Sequence, residues 1–233
     1  MRLYSFLLML PLLLMACGDG PIYPVEPELY EWVKDPDAID PTSDQTPSVA
    51  DPVVTFRLDP GDRRSALRTG EDWRLGQTYL FGFDVRVASG TLGSDTIALS
   101  RLFRTGGGTS EIASVQLDAD RGITVMGRDC IAPPDLRERH RVEMRIRLSN
   151  KDAGFLEVFC DRKPIWARTK IRTTFPPVCR LSEGCVADVP KPTRYEWQMG
   201  LLSERSVSTP VTVQMQRLHY RILLYIPNRP GTL

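Results

Sequence analysis

Apolar and polar residues alternate along much of this chain. Phe81, Phe83, Val85 and Val87 are separated by Gly82, Asp84 and Arg86, and Val142, Met144, Ile146 and Leu148 alternate with Glu143, Arg145 and Arg147. A period of two puts one set of side chains inward and the other outward, as in a strand with one buried face. Shorter runs at 96–104, 114–118, 123–126, 155–160, 195–202 and 211–226 carry the same signal, and turns rich in Gly, Asp, Asn or Pro separate them, as at 106–108 and 149–154. No segment keeps a 3.6-residue period over three turns. Many strands and little helix predict an all-β fold, a sandwich or jelly roll of two antiparallel sheets.

The alternation fails at the N-terminal end. Residues 1–16 hold one cation, Arg2, followed by an apolar run too short to span a bilayer comfortably, ending in the small Ala16. This reads as a secretory signal. Leu14-Met15-Ala16-Cys17 resembles the bacterial lipobox, which implies a lipid on Cys17 and a signal peptide covering 1–16. An ordinary secretory signal with Cys17 as a spare thiol is the plainer alternative. Gly18 follows the cysteine, so the aspartate that retains lipoproteins at the inner membrane is missing from that place and the expected location is the outer membrane, on either face. Residues 17–52 carry seven prolines and nine acids against Lys34 alone, so an extended acidic tether is expected there. Its apolar patch, residues 24–33, is the part able to dock back. The remainder, 53–233, is then the folded domain with net charge +8. That excess favours anionic partners, and in an envelope setting acidic glycans and lipid headgroups suit it better than nucleic acid. Charge that serves solubility alone is the bland alternative.

Four further cysteines fall in a compartment where disulfides persist. Cys179 and Cys185 bracket a short loop and form the natural local pair, which leaves Cys130 with Cys160; three pairings are possible in all. Zinc is disfavoured, since the spacings do not fit and only two histidines exist. No cofactor is called for.

Residues 148–159, Leu-Ser-Asn-Lys-Asp-Ala-Gly-Phe-Leu-Glu-Val-Phe, resemble a strand–turn–strand of the concanavalin-A-like polysaccharide lyases of the alginate-lyase and heparin-lyase type. Three more stretches keep that family's chain order. Arg64-Ser65-Ala66-Leu67-Arg68 is similar to its Arg-Ser-Glu-Leu-Arg strand. Residues 97–103 fall where it has Gln-apolar-His, and residues 196–202 where it has Tyr-aromatic-Lys-Ala-Gly-Val-Tyr. The resemblance spans about 55–226 and implies a concanavalin-A-like jelly roll with a groove for a uronate polysaccharide.

Such a lyase neutralises the uronate carboxylate with arginine or amide donors, removes the adjacent proton with His or Tyr, and protonates the leaving oxygen. Side chains two apart share a strand face. Carried over by that parity, Arg64, Arg68, Arg101 and Gln198 would contact carboxylates and Phe103 would stack on a sugar. The acid–base pair does not carry over. Phe103 stands in place of the histidine, Leu202 in place of the tyrosine, and Ala66 in place of the glutamate. Tyr195 and His219 are the weak substitutes; His140 opens a strand and reads as structural. The sequence also lacks a Gly-x-Ser-x-Gly elbow and a Glu-x-Asp-x-x-Glu strand, and Gly106-Gly107-Gly108 reads as a hairpin turn. Three readings follow: a binder of acidic polysaccharide without the usual acid–base pair, an active lyase with displaced catalytic residues, and an envelope protein that holds another protein.

Overall fold

The structure, a computed structural model, describes residues 31–71, 74–90, 92–93, 96–105, 109–173 and 194–223. Among the described residues thirteen strands, numbered in chain order, form two antiparallel sheets. The seven-stranded sheet runs β1 (Ser48–Ala50), β2 (Val53–Leu58), β13 (Val211–Leu223), β4 (Thr78–Gly90), β9 (His140–Arg147), β10 (Gly154–Cys160), β11 (Lys163–Ile171). The six-stranded sheet runs β3 (Arg64–Glu71), β12 (Arg194–Ser203), β5 (Ile97–Thr105), β6 (Ser110–Asp118), β7 (Gly122–Val125), β8 (Arg128–Ile131).

The predicted alternation holds where it was strongest. Phe81, Phe83 and Val85 of β4 and Val142, Met144 and Ile146 of β9 are fully buried between the sheets, facing Leu99, Leu102, Trp197 and Met199 of the other layer within one core. Trp197 is central. Its ring lies edge-on to Phe81 at 5.1 Å, and its Nε1–H donates to Ser100 Oγ at 2.8 Å. At the open end of the sandwich a disulfide joins Cys130 of β8 to Cys160 of β10, tying one sheet to the other. Closing a loop of that length removes unfolded-state entropy worth about 3–4 kcal/mol. Cys17, Cys179 and Cys185 lie outside the described residues.

The expectation of an extended tether through residue 52 is corrected over residues 31–52. A short helix α1 (Glu31–Lys34), a 3-10 turn (Pro36–Ala38) and β1 pack against the sandwich. Val33 and Ala38 join the core, and the ring of Trp32 lies 6.0 Å from that of Trp197. The acids do not force extension, because three of them find partners on folding. Asp40 meets Arg64, the Asp44 carboxylate accepts from the Arg63 and Arg64 amides at 2.7 and 3.0 Å, and Asp51 lies 3.1 Å from Lys34. Pro36 stands in the first turn of its helix, where a missing N–H costs nothing.

Candidate functional site

The outward face of the six-stranded sheet is built by β3, β12, β5 and β6. Antiparallel register sets Arg68 opposite Gln198, Gln198 opposite Arg101, and Arg101 opposite Ser114. Residues so paired have their Cβ atoms roughly 5 Å apart, so the row is a continuous strip of polar groups. A parallel row holds Glu196, Phe103 and Glu111. Beyond it on the other side, Ala66, Ala98 and Leu202 make a small apolar floor.

Two irregularities aim these residues. The register slips between Ala98 and Ser100 on β5 and between Met199 and Leu202 on β12, so Ala98 and Arg101 share a face although three residues separate them. Leu99 and Ser100 turn into the core, where Ser100 takes the Trp197 hydrogen bond. Gly200 has φ +139°, and a Cβ there would meet the Ser65 carbonyl oxygen at 2.2 Å, so β3 and β12 approach this closely only over glycine.

Four predicted contact residues, Arg68, Arg101, Gln198 and Phe103, therefore lie on one face. Arg68 is exposed and makes no ion pair among the described residues. Arg101 is held loosely, its Nε 3.5 Å from Glu111 and its Nη2 3.5 Å from Glu204, and the buried Nε has no hydrogen-bond partner. The Gln198 amide nitrogen donates to Glu196, while its buried Oε1 accepts from nothing. Phe103 is half-buried beside them. A depression of about 400 Å³ opens next to this strip between Arg101, Gln116, Ser203, Glu204 and Arg205. Three glutamates, Glu196, Glu111 and Glu204, temper the charge, and the sequence reading named none of them as groove residues.

Arg64 requires a correction. It lies on this face, but its Nη1 donates to Asp40 Oδ2 at 2.5 Å and to Thr42 Oγ1 at 3.2 Å, so its charge is already answered from within the chain. Burial tends to raise the Asp40 pKa, but hydrogen bonds from Thr42 and Arg64 outweigh it and hold the carboxyl below the usual range.

Neither substitute for the missing acid–base pair reaches the groove. Tyr195 is 1% exposed on the core side of β12; its hydroxyl donates to the Thr173 carbonyl at 3.4 Å, and burial pushes its pKa up. His219 belongs to the other sheet, fully buried against Gly82, with Nδ1–H donating to the Arg217 carbonyl at 2.7 Å. Among the described residues no histidine or tyrosine faces the groove.

His140 is structural, as expected. Its Nδ1 faces the Asp161 carboxylate at 2.9 Å and its Nε2 the Asp135 carbonyl at 3.1 Å. Both partners only accept, so the protonated ring, with hydrogen on both nitrogens, is the form that satisfies them together. Burial works to lower the His140 pKa, but the bond and charge of Asp161 raise it above the ordinary value. Asp161, also partly buried, is held low by the Arg141 amide and by His140. A raised histidine pKa stabilises fully below about pH 6.5 and fades as pH climbs through the folded-state value. His140→Gln should therefore lower the melting temperature more at about pH 5.5 than at about pH 9. Equal losses at the two pH values in thermal unfolding would show that the pair is not charged.

No family model matches the sequence, and no curated protein is significantly similar to it. Solved structures do share its architecture. The endo-β-1,4-glucuronan lyase of the fungus Trichoderma reesei superposes with a TM-score of 0.55 at 12% identity, over 79% of this chain and 90% of that one. The marine PL7 alginate lyase AlyA1 of Zobellia galactanivorans gives 0.50 at 9% identity, over 78% and 82%. A mutant of the alginate lyase Aly36B in complex with an alginate trisaccharide gives 0.50 at 13% identity, over 76% and 84%. The chain has the concanavalin-A-like jelly roll of these polysaccharide lyases.

Proposed function

We propose that this protein binds an acidic, uronate-containing polysaccharide in a lyase-type groove without cleaving it, and that a lipid on Cys17 holds it at the outer membrane. The observation that carries the reading is the strip Arg68–Gln198–Arg101, flanked by Phe103, on a face where no described histidine or tyrosine stands. The Arg101 guanidinium, whose Nε makes no hydrogen bond and only a 3.5 Å contact with Glu111, is a donor suited to a carboxylate, and the Gln198 Oε1 an acceptor suited to a sugar hydroxyl. Uronate polysaccharides are what the similar structures, by their names, cleave or bind. Each exposed contact is worth only about 0.2–1 kcal/mol, so affinity must come from several sugars engaging the strip together.

The test is to incubate the purified protein with alginate, glucuronan and heparin. Binding is followed by calorimetry and chain cleavage by the ultraviolet absorbance of unsaturated ends. The expected result is saturable binding to at least one uronate polymer, weaker at high salt, with flat absorbance. Steadily rising absorbance would make the protein an active lyase. A failure to bind any of the three would remove the polysaccharide reading.

A further inference from the structure

The seven-stranded sheet turns its outer face away from the groove, and arginines dominate it. Where β13, β4 and β9 lie side by side, Gln216, Asp84 and Arg141 form one row, with Gln214 and Arg86 in the next. Because Val85 pairs with His140, the same register brings Arg139 beside Arg86. Asp84, 2% exposed, accepts from Arg217 Nε at 2.9 Å, and its other oxygen lies 3.8 Å from Arg141 Nη1. Arg141 donates in turn to the buried Glu143 at 3.0 Å. Of the four guanidinium groups here, Arg141 and Arg217 thus take up the two carboxylates.

The remaining two cations, Arg86 and Arg139, touch no carboxylate among the described residues. Arg86 forks onto the uncharged amide oxygen of Gln214, at 2.9 and 2.7 Å. Arg139 makes no hydrogen bond or ion pair among the described residues, and its Nη1 is completely buried. Burial first and then the like charge of Arg86 lower the pKa of Arg139, and the opposite charge of Asp84, itself countered by Arg217, does not restore it. A buried guanidinium nitrogen left without an acceptor is costly and uncommon in folded proteins. Arg217 adds a second sign. It lies in the bulge between Gln216 and His219 with φ +49°, a conformation that a non-glycine residue rarely adopts and that clusters at functional sites.

We propose that Arg86, Arg139 and Arg217 form a second anion site, opposite the groove, that takes a phosphate monoester group. Arg139 brings a whole guanidinium, and Arg86 and Arg217 each bring the Nη1 not used on Gln214 or Asp84, a donor set that suits a tetrahedral dianion with three terminal oxygens, which supplies the missing acceptors and offsets the excess charge. A carboxylate offers one charge and two oxygens. The group can arrive on a lipid headgroup or on a soluble molecule, and the chemistry of recognition is the same.

The test measures binding of inorganic phosphate by calorimetry at constant ionic strength, and flotation with phosphatidic acid vesicles against phosphatidylcholine vesicles. Wild-type protein should bind phosphate, and Arg139→Gln should weaken that binding roughly tenfold. The same substitution should leave the melting temperature of the unliganded protein undiminished, because it deletes an unpaired cation rather than a contact. Arg86→Gln should weaken phosphate binding likewise and serves if Arg139→Gln fails to fold. Arg57→Gln, which removes an exposed cation paired with Asp59, and Arg101→Ala in the groove should leave phosphate binding intact. Arg139-dependent flotation with phosphatidic acid assigns the site to lipid headgroups; phosphate binding without flotation assigns it to soluble phosphate esters. No phosphate binding, or binding that both Arg139→Gln and Arg86→Gln preserve, overturns the proposal while leaving the groove untouched.

Discussion

Arg101→Ala is expected to weaken binding of a uronate polysaccharide by about 10- to 100-fold, while Arg145→Ala leaves it within about a factor of two. The figure follows from the roughly 1.5–3 kcal/mol carried by a hydrogen bond to a charged group. Arg101 stands in the middle of the groove strip, with Gln198 on one side and Ser114 on the other, and its protein partners are only loosely engaged at 3.5 Å. A substrate carboxylate can compete with contacts that long. Arg145 has the same charge but projects from the other sheet, where it pairs with Glu157 and lies 5.7 and 5.9 Å from the rings of Phe155 and Phe159. Comparing the two arginines therefore separates site from net charge. Arg68→Ala should fall between them, since an exposed guanidinium is screened by solvent. Calorimetric titration at low and high salt decides the matter, and equal losses from Arg101→Ala and Arg145→Ala would mean that the groove is not the binding face.

The groove residues were legible because strand parity survives from sequence to structure wherever no bulge intervenes. Gln198 and Arg101 fell on the predicted face since the irregularities of β5 and β12 lie beyond them, toward Ala98 and Gly200. Tyr195, a substitute catalyst in the sequence reading, goes against that parity: it is three positions from Gln198 and shares the core side with Trp197. His219 was harder. The bulge after Gln216 turns its side chain to the outer face, and nothing in the local alternation marks it. Strand β11 escaped notice because it is an edge strand, exposed along most of its length and opened by Lys163 and Pro164. The largest misreading was the tether. Proline and like charge describe what a segment does alone, whereas Asp40 and Arg64 are 24 residues apart and become partners only once β3 has formed. That contact also explains why one of the four predicted carboxylate binders is already occupied.

Trp197→Ala should cost about 3–5 kcal/mol of folding stability, more than any substitution on either outer face. The indole is fully buried, and around it pack Phe81 from the facing sheet, Tyr220 with ring centroids 6.4 Å away, and Trp32 from the N-terminal segment. Removing it opens a cavity among three aromatic rings and unseats the segment that was expected to be free. Trp197→Phe separates packing from polarity. It keeps much of the volume but strands the Ser100 hydroxyl, a loss of about 1–3 kcal/mol for a buried group left without its partner. Adding Ser100→Ala to Trp197→Phe should then cost little more than Trp197→Phe alone, as expected for two residues joined by one bond. Urea denaturation of the two single variants and the double variant measures this coupling. Ser100 lies in the β5 bulge that turns Arg101 outward, so the same bond should carry into binding, with Trp197→Phe weakening polysaccharide affinity although its side chain never meets the groove. Full additivity of the two substitutions, together with unchanged affinity, would show that the bulge holds its shape without the indole.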